Sequence, residues 1–463
     1  MHHVVKSLLR HARRSKSASA RSINPRGFAS LVTRSTSPSN RPASTQARVA
    51  AEDPLPVQSE CPVSSYNEWD PLEEVIVGRA GGHRIPSLHS QIQAVTRPES
   101  WDNSRKLVGK SPDPELISKA DKEANELVRV LEAEGITVKR PEEFAWDEMG
   151  TFRTPYFEEG GYKNTCPRDG ILVIGDEIIE AAMGMRARLF EFHPYRKLLN
   201  DYFRQGATWT AAPRPTMHDD LYRKDFPLDD FDKQMEMLKE GKFILTESEM
   251  VFDAADVIRF GRDIFVTLTH TTNRGGVEWL RRHLGPKGYR VHSLLFFGTQ
   301  NCHADATLMP LRPGLLIVAG ERPCLKVDDQ PIGWEYFEER GWEVVQVPLP
   351  NYVETVEPNK SSSDDGVARA LRCKPSGSGL EFGSHLCVSM KDVSRWLHIN
   401  MLSLDSERVI CQKNEPLLHG MLTKRGIKPI ELDMSHCFYL GGAFHCWTTD
   451  IRRRGQLQDY GLN

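Results

Sequence analysis

Short apolar segments alternate with amphipathic segments along the chain from about residue 70. Apolar residues at helical spacing predict helices over Ala120–Glu134 and Val277–Leu284, and a third that ends over Met421–Arg425, each followed by a glycine. Apolar runs predict buried strands over Glu74–Gly78, Ile171–Gly175, Asp263–Leu268, Leu315–Ala319, Trp342–Val347, Arg408–Cys411 and Ile430–Leu432. Because strand–helix units recur roughly every 50 to 70 residues, the pattern predicts an α/β fold.

Two segments depart from this alternation. Residues 351–390 contain the polar stretches NKSSSDDG and KPSGSGLEFGS, which predict a long surface insertion. Residues 1–50 contain ten lysines or arginines, ten serines and no acidic residue. With apolar residues able to share one helical face, this composition is typical of a mitochondrial transit peptide, and a disordered basic tail is the alternative. We therefore exclude residues 1–50 from the predicted fold.

Composition and charge narrow the class of protein. Apolar residues make up 39% of the chain and charged residues 27%, which is typical of a globular protein, and no apolar run approaches the ~18 residues of a membrane-spanning helix. The net charge is −3, and removing the ten positive charges of residues 1–50 leaves −13. This acidic balance argues against nucleic acid as a partner. Nine scattered cysteines without a CxxC pair argue against a zinc site.

Two short polar motifs precede or lie within predicted strands. Asp253 and Asp256 enclose two alanines directly before an apolar strand, where a capped turn is the alternative to a catalytic role. His303 and Asp305 are separated by one alanine, so a strand at this position would direct both side chains to the same face. Such a pair suits acid–base chemistry or a metal, and it also occurs without any function.

A cysteine and a further carboxylate complete the candidate groups. Cys446 follows a Gly441–Gly442 turn and lies between aromatic residues, which suits either an accessible nucleophile or a buried thiol. Asp169 stands at the start of a predicted strand, where a surface salt bridge is the alternative to a binding role. Together the cysteine, histidine and aspartates are the groups needed for nucleophilic catalysis on a cationic substrate held by carboxylates. Spacing alone does not show whether they meet in the folded protein.

Several longer segments closely resemble the glycine amidinotransferase family. They are Ser64–Ala80, Pro167–Ala181, Ala212–Tyr222, Asp253–Val266, His303–Thr307, Glu321–Cys324 and Gly441–Gly455. The resemblance runs in order from about residue 60 to 458, interrupted mainly by residues 351–390. It implies a single domain over 60–463 that forms a five-bladed α/β-propeller of pseudo-fivefold ββαβ modules around a central active-site channel. It also implies a homodimer in the mitochondrion, in either the matrix or the intermembrane space.

The resemblance further implies a reaction and the residues that perform it. The amidino group of L-arginine would pass to glycine, giving ornithine and guanidinoacetate, the precursor of creatine. Cys446 would be the nucleophile that forms an amidino-cysteine, His303 the general acid and base, and Asp253 the carboxylate that orients His303. No metal and no organic cofactor are implied.

Substrate binding is implied by a second set of matched positions. Asp169 and Asp305 would grip the guanidinium, whose positive charge should lower the pKa of Cys446. Arg322 and Ser394 would bind the carboxylate of arginine. Asp256 would be structural.

Two positions depart from the family pattern, and both concern substrate binding. Val393 replaces a serine that contacts the donor, and Cys302 replaces a methionine that shapes the acceptor pocket. A smaller side chain at position 302 can admit a larger acceptor, so another primary amine is an alternative to glycine. The same residues would also suit a deiminase, which hydrolyses arginine, or a protein that binds arginine without catalysis.

Overall fold

Alternating strands and helices are the main feature of the computed structural model, which describes residues 61–96, 98–143, 150–297, 303–320, 322–347 and 397–462. These residues belong to one compact unit, Leu55–Asn463. The predicted transit peptide, the predicted insertion at 351–390, Cys302 and Ser394 lie outside the described residues. Within the described part, no helix combines the length and apolar character required to cross a bilayer.

The strands are short, mostly two to seven residues. In chain order they are β1 (Leu72–Val77), β2 (Thr137–Lys139), β3 (Phe152–Arg153), β4 (Glu158–Glu159), β5 (Ile171–Ile174), β6 (Glu177–Glu180), β7 (Thr208–Ala211), β8 (Val257–Phe260), β9 (Asp263–Thr267), β10 (Arg290–Phe296), β11 (Leu308–Arg312), β12 (Leu315–Ala319), β13 (Cys324–Val327), β14 (Glu343–Val347), β15 (Leu402–Ser403), β16 (Arg408–Gln412), β17 (Lys428–Leu432) and β18 (Thr448–Arg453).

The helices lie between these strands. They are α1 (Ser90–Val95), α2 (Pro98–Leu107), α3 (Pro114–Ala133), α4 (Pro167–Gly170), α5 (Arg196–Arg204), α6 (Phe231–Lys239), α7 (Arg274–Leu284), α8 (Glu335–Glu338), α9 (Pro416–Lys424) and α10 (Ser435–Phe438). Among several single turns of 3₁₀ helix, three precede first strands of sheets: Ala254–Asp256, Ala304–Ala306 and Leu397–Ile399.

One structural plan recurs five times in the described residues. Two antiparallel strands are followed by a helix and then by a strand parallel to the second strand, as in β5-β6-α5-β7 and β8-β9-α7-β10. The units β11-β12-α8-β14 and β15-β16-α9-β17 repeat this order. In the fifth unit the C-terminal β18 pairs with β1, which continues through α3 to β2. The predicted α/β class is therefore confirmed.

Helix α3 shows how the sequence produces one of these units. Asp113 caps the helix by accepting a hydrogen bond from the Glu115 backbone N–H, and Pro114 occupies its first position. Gly135, at φ +81°, follows its C-terminal end. The buried face consists of Leu116, Ala120, Ala124, Leu127 and Leu131. This face packs in one core with β1 and with the segment around Cys446, so the helix supports the region where the candidate nucleophile lies.

The sequence-based boundaries agree with most of these elements. The predicted strand Leu315–Ala319 is β12 itself, and the predicted helix over Ala120–Glu134 forms most of α3. His303 and Asp305 do not lie on a strand, so the condition under which both side chains would share one strand face is not met. The backbone N–H groups of Ala306 and Thr307 bond locally, to the carbonyls of His303 and Ala304, so the chain makes a 3₁₀ turn before β11 begins.

We expect Leu127→Ala to lower the free energy of unfolding by about 2–5 kcal/mol, because Leu127 is fully buried and its truncation leaves a cavity. Lys122→Ala on the exposed face of the same helix is the control, with an expected change within about 0.5 kcal/mol. Urea unfolding followed by circular dichroism measures both. Equal midpoints for the two variants would contradict the assigned packing of α3.

Candidate active site

The candidate residues occupy equivalent places in the five units, in the segment before each first strand. These segments are α4 before β5, the 3₁₀ turns before β8, β11 and β15, and residues 443–447 before β18. The first four segments contact one another in chain order, and α4 also contacts β18. The side chains that they bring together are Asp169, Asp253, His303, Asp305, Asn400 and Cys446. The structure thus unites the carboxylates, the histidine and the cysteine that the sequence singled out.

Cys446 lies at the centre of this group and is 4% exposed. Its thiol donates to Asp305 Oδ2 at 3.2 Å and accepts from Asn400 Nδ2 at 3.1 Å, while Asn400 Oδ1 accepts from the Cys446 backbone N–H at 3.0 Å. Burial, together with the negative charges of Asp305 and Asp169, raises the pKa of Cys446 well above its ordinary value. The resting group is therefore a buried thiol, held in place by hydrogen bonds, rather than an accessible thiolate.

His303 lies between two carboxylates. Its Nε2 is 3.2 Å from Asp253 Oδ2, and its Nδ1 is 3.7 Å from Asp169 Oδ1. Burial by itself would lower the pKa of His303, but the charge of Asp169 and the hydrogen bond of Asp253 outweigh it and raise the pKa to about 10. Asp253 is fixed in turn by the backbone N–H of Gly184, at 3.1 Å from its Oδ1. At neutral pH the site therefore holds an oriented imidazolium.

Asp169 and Asp305 are both buried, and the Oδ2 atom of each is engaged by a neighbouring side chain. Asp169 Oδ2 accepts from Arg188, and Asp305 Oδ2 lies 2.9 Å from His445 Nδ1. Within the described residues neither Oδ1 atom has a hydrogen-bond partner, and Asp169 Oδ1 lies 3.7 Å from His303 Nδ1. A buried carboxylate oxygen without a donor is costly, and the N–H groups of a cationic ligand would satisfy it. Asp169 is thus a buried group and not a surface salt bridge.

The remaining predicted residues have different surroundings. Arg322 is buried, with its Nη1 donating to the hydroxyl of Thr307 directly before β11. Ser394 lies outside the described residues. Asp256 Oδ2 accepts from the hydroxyls of Thr269, Thr271 and Thr272, and burial raises the pKa of Asp256 to about 6. These bonds tie two loops together, in keeping with the structural role expected for Asp256.

Sequence reasoning missed several polar residues of the site. Asn400 fixes the thiol, Arg188 binds Asp169, and His445 binds Asp305. Lys163 lies near Asp169, with its Nζ 3.8 Å from the Oδ2 of that carboxylate. The spacing of these residues along the sequence does not indicate that they contribute to the site. A weak signal for Asn400 is that it interrupts an otherwise apolar segment.

Glu68, His445 and Asp450 form a buried cluster behind the site, with ligand atoms within 4.8 Å of one another. Such a set can hold a metal ion in principle. Here Arg259 donates to both carboxylates and Arg453 donates to Asp450. The protein itself therefore supplies the positive charge that a metal would bring, and the cluster does not suit a second cation.

Comparison with known proteins gives four informative similarities, although no family model matches the chain. The mitochondrial glycine amidinotransferase of Gallus gallus is 41% identical over 437 residues, covering 94% of both chains. The L-arginine:L-lysine amidinotransferase of Pseudomonas savastanoi pv. phaseolicola is 36% identical over 400 residues, covering 86% of this chain and 96% of its own. These relatives span nearly the whole folded part.

Two solved structures resemble this one. The amidinotransferase SxtG of saxitoxin biosynthesis, from Microseira wollei, has a TM-score of 0.68 and 38% identity, covering 86% of this chain and 100% of its own. The inosamine-phosphate amidinotransferase StrB1 of Streptomyces griseus has a TM-score of 0.67 and 31% identity, covering 86% and 99%. The similarity therefore extends from sequence to fold.

We expect Asp253→Asn to lower the pKa of His303, because it removes the negative charge beside Nε2 and replaces a carboxylate acceptor by a neutral amide. An NMR titration of the histidine ring protons, assigned with a His303→Asn variant, measures the shift. Asp102→Asn, at an exposed carboxylate distant in sequence, is the control and should leave the titration unchanged. A His303 pKa near 10 in both variants would show that Asp253 does not stabilise the imidazolium.

Proposed function

The chain belongs to the amidinotransferase family, and from this premise we propose that it transfers the amidino group of L-arginine to glycine, giving ornithine and guanidinoacetate. The expectation of a transferase is confirmed by relatives that match nearly the whole chain. The observation that carries the proposed reaction is the position of Cys446 beside a buried carboxylate with a free oxygen.

The first step is binding of the donor. Among the residues that the structure describes, none donates a hydrogen bond to Asp169 Oδ1 or Asp305 Oδ1, and a planar guanidinium presents several N–H groups that match carboxylate oxygens. The bound cation offsets the negative charges that raise the pKa of Cys446, so the thiol releases its proton to solvent and the thiolate forms when the substrate is bound. Arg322 and Ser394 are proposed to bind the carboxylate of the donor.

The second step is formation of the covalent intermediate. The Cys446 thiolate adds to the guanidinium carbon, and His303 donates its proton to the amine that leaves as ornithine. A pKa of about 10 keeps that proton on His303 at neutral pH until the C–N bond breaks. Asp253 holds the ring in place throughout. The product of this half-reaction is an amidino group on the cysteine sulfur.

The third step returns the enzyme to its starting state. The amine of the acceptor attacks the amidino carbon, the now neutral His303 removes a proton from that amine, and the C–S bond breaks to leave the thiolate, which takes up a proton from solvent once the product has left. The sequence of events is ping-pong, because ornithine leaves before the acceptor reacts. No step requires a metal or an organic cofactor.

The identity of the acceptor rests on the relatives. The vertebrate glycine amidinotransferases align over 90–94% of this chain, whereas the arginine–lysine enzyme aligns over 86% and is less identical. This difference in identity and coverage favours glycine as the acceptor of the amidino group. The names of the relatives include glycine, L-lysine and inosamine-phosphate, so the shared fold accommodates different amines. Another primary amine is therefore the second candidate, and water, as in a deiminase, is the third.

Location and assembly complete the proposal. We propose that residues 1–50 direct the chain to the mitochondrion, which is supported by relatives named as mitochondrial. We also propose that residues 60–463 form one domain in which the five repeated units close into a five-bladed propeller, with residues 351–390 inserted. The contacts between successive segments before the first strands support this closure. A homodimer is proposed from the family alone, and the mass of the protein in solution tests it.

Incubation of the protein with arginine and a panel of amines, read by mass spectrometry, tests the reaction. We expect ornithine together with guanidinoacetate when glycine is present. Ornithine with a different guanidino product would retain the mechanism and change the acceptor, which would direct attention to Cys302. Citrulline would identify water as the acceptor and contradict the transferase proposal.

We expect Cys446→Ser to abolish turnover, a loss of at least about 10³-fold, and to abolish covalent labelling by [guanidino-¹⁴C]arginine. The fold should persist, because a serine hydroxyl can replace the thiol in the bonds to Asn400 and Asp305. Cys411→Ser, at a buried thiol in β16, is the control that should retain labelling. Full labelling of Cys446→Ser would refute the assigned nucleophile, and an inactive wild-type protein would favour non-catalytic binding.

A further inference from the structure

Asn400, directly after the 3₁₀ turn Leu397–Ile399, is a fully buried amide that contacts two neighbouring segments of the site. Its Oδ1 accepts from the Cys446 backbone N–H at 3.0 Å, and its Nδ2 lies 3.2 Å from the carbonyl oxygen of Asp305. Its own carbonyl oxygen accepts from the His445 backbone N–H at 3.3 Å. The side chain therefore bridges the segment before β18 and the turn before β11.

The two backbone contacts of the side chain fix the orientation of the amide. A backbone N–H only donates and a carbonyl oxygen only accepts, so Oδ1 must face Cys446 and Nδ2 must face Asp305. An amide nitrogen carries two hydrogens. One is directed to the Asp305 carbonyl, and Cys446 Sγ lies 3.1 Å from the same nitrogen. The second hydrogen is therefore available to the sulfur, in the thiol and in the thiolate alike.

Burial and three neighbouring side chains oppose a negative charge on this sulfur. Burial raises the pKa of Cys446, and so do the charges of Asp305 and Asp169 and the nearby thiol of Cys166. The sulfur makes two hydrogen bonds with the described residues, since it donates to Asp305 Oδ2 and accepts from Asn400 Nδ2. When the thiol loses its proton, the first bond disappears, whereas the second becomes charge-assisted and stronger.

We propose that Asn400 is a catalytic residue of the amidino transfer, whose Nδ2–H donates to the Cys446 thiolate both when it attacks the donor and when it is released. This statement rests on the proposed function. In the first half-reaction a sulfur electron pair forms the C–S bond, and ornithine leaves with a proton from His303. In the second, that pair returns to sulfur as the C–S bond breaks. The amide keeps both of its hydrogens throughout.

Asn400→Ala tests the proposal through the single-turnover release of ornithine at saturating arginine. We expect the rate constant to fall by about tenfold at pH 7, with little change in the Kd for arginine, because the lost hydrogen bond acts on the sulfur. The deficit should narrow toward about pH 9.5, where more thiolate forms without the donor. A deficit that is equal at every pH would indicate a purely structural role and overturn the proposal.

Asn400→Asp separates the two ends of the amide. It keeps an oxygen for the Cys446 backbone N–H and removes the N–H that faces the sulfur. At pH 7 this variant should therefore be at least as slow as Asn400→Ala. A single-turnover rate close to the wild-type value would show that Asn400 only holds the backbone of Cys446, and it would overturn the proposal.

Asn67→Ala is the matched control. Asn67 is also fully buried, and its Oδ1 accepts from the backbone N–H groups of Trp69 and Asp70, while its Nδ2 donates to Asp70 and Tyr460 rather than to the sulfur. This variant should lose stability and keep the wild-type dependence of the single-turnover rate on pH. The same pH-dependent deficit in both variants would overturn the assignment to Asn400.

Alkylation of Cys446 by iodoacetamide, followed by peptide mass spectrometry, is a measurement independent of turnover. Because the thiolate is the reactive form, Asn400→Ala, or Asn400→Ser if the first variant does not fold, should slow this reaction severalfold at pH 8. Alkylation of the half-buried Cys61 should be unchanged. An equal or faster rate at Cys446 would overturn the proposal. Absence of any guanidino product from wild-type protein whose Cys446 alkylation depends on Asn400 would instead refute the proposed function and leave the hydrogen-bond assignment standing.

Discussion

The burial of two carboxylates is the constraint on which the site depends. Asp169 and Asp305 are almost completely excluded from solvent, and each has an oxygen to which no group in the described part of the chain donates a hydrogen bond. An arrangement of this kind persists only where the surrounding structure compensates the charge. Arg188 donates to Asp169 Oδ2, and Asp305 Oδ2 contacts His445 Nδ1, so one oxygen of each carboxylate is engaged by the protein.

The same two charges explain the state of the reactive groups. They raise the pKa of the Cys446 thiol, and the charge of Asp169 contributes to the high pKa of His303. The unliganded site therefore holds a protonated thiol and a protonated imidazole. In the proposed mechanism, a bound cationic donor allows the Cys446 thiol to lose its proton. His303 stays protonated, because it also keeps its hydrogen bond to Asp253. In the proposed mechanism, this arrangement links activation of Cys446 to the presence of the donor.

Behind the site, buried ion pairs join distant parts of the chain. Arg259 in β8 contacts Glu68 near the start of the folded part and Asp450 in β18, while Arg168 before β5 contacts Asp450. Breaking a buried ion pair by removing one partner is strongly destabilising, so these contacts fix the positions of the repeated units relative to one another. Since β18 also pairs with β1, the segment with Cys446 is fixed from both sides. This rigidity suits a site that must position a planar guanidinium.

The sequence by itself determined the family, the α/β class and the identities of the cysteine, histidine and aspartates, because periodicity is a local property and the matched segments are continuous. Helix α3 and strand β12 follow from such patterns. The sequence did not predict strand β18, because its residues TTDIRR are largely polar. These residues are buried in the fold, where Asp450 and Arg453 find partners.

Tertiary structure decided which groups meet, how deeply they are buried and how they are charged. Cys446 and Asp305 are 141 residues apart, and His445 and Glu68 are 377 apart, so no spacing rule predicts their contacts. The turn at His303 depends on hydrogen bonds that close before β11 starts. The charge state of a group follows from its burial and from the partners that folding brings to it. The raised pKa of the Cys446 thiol is therefore evident only from the structure.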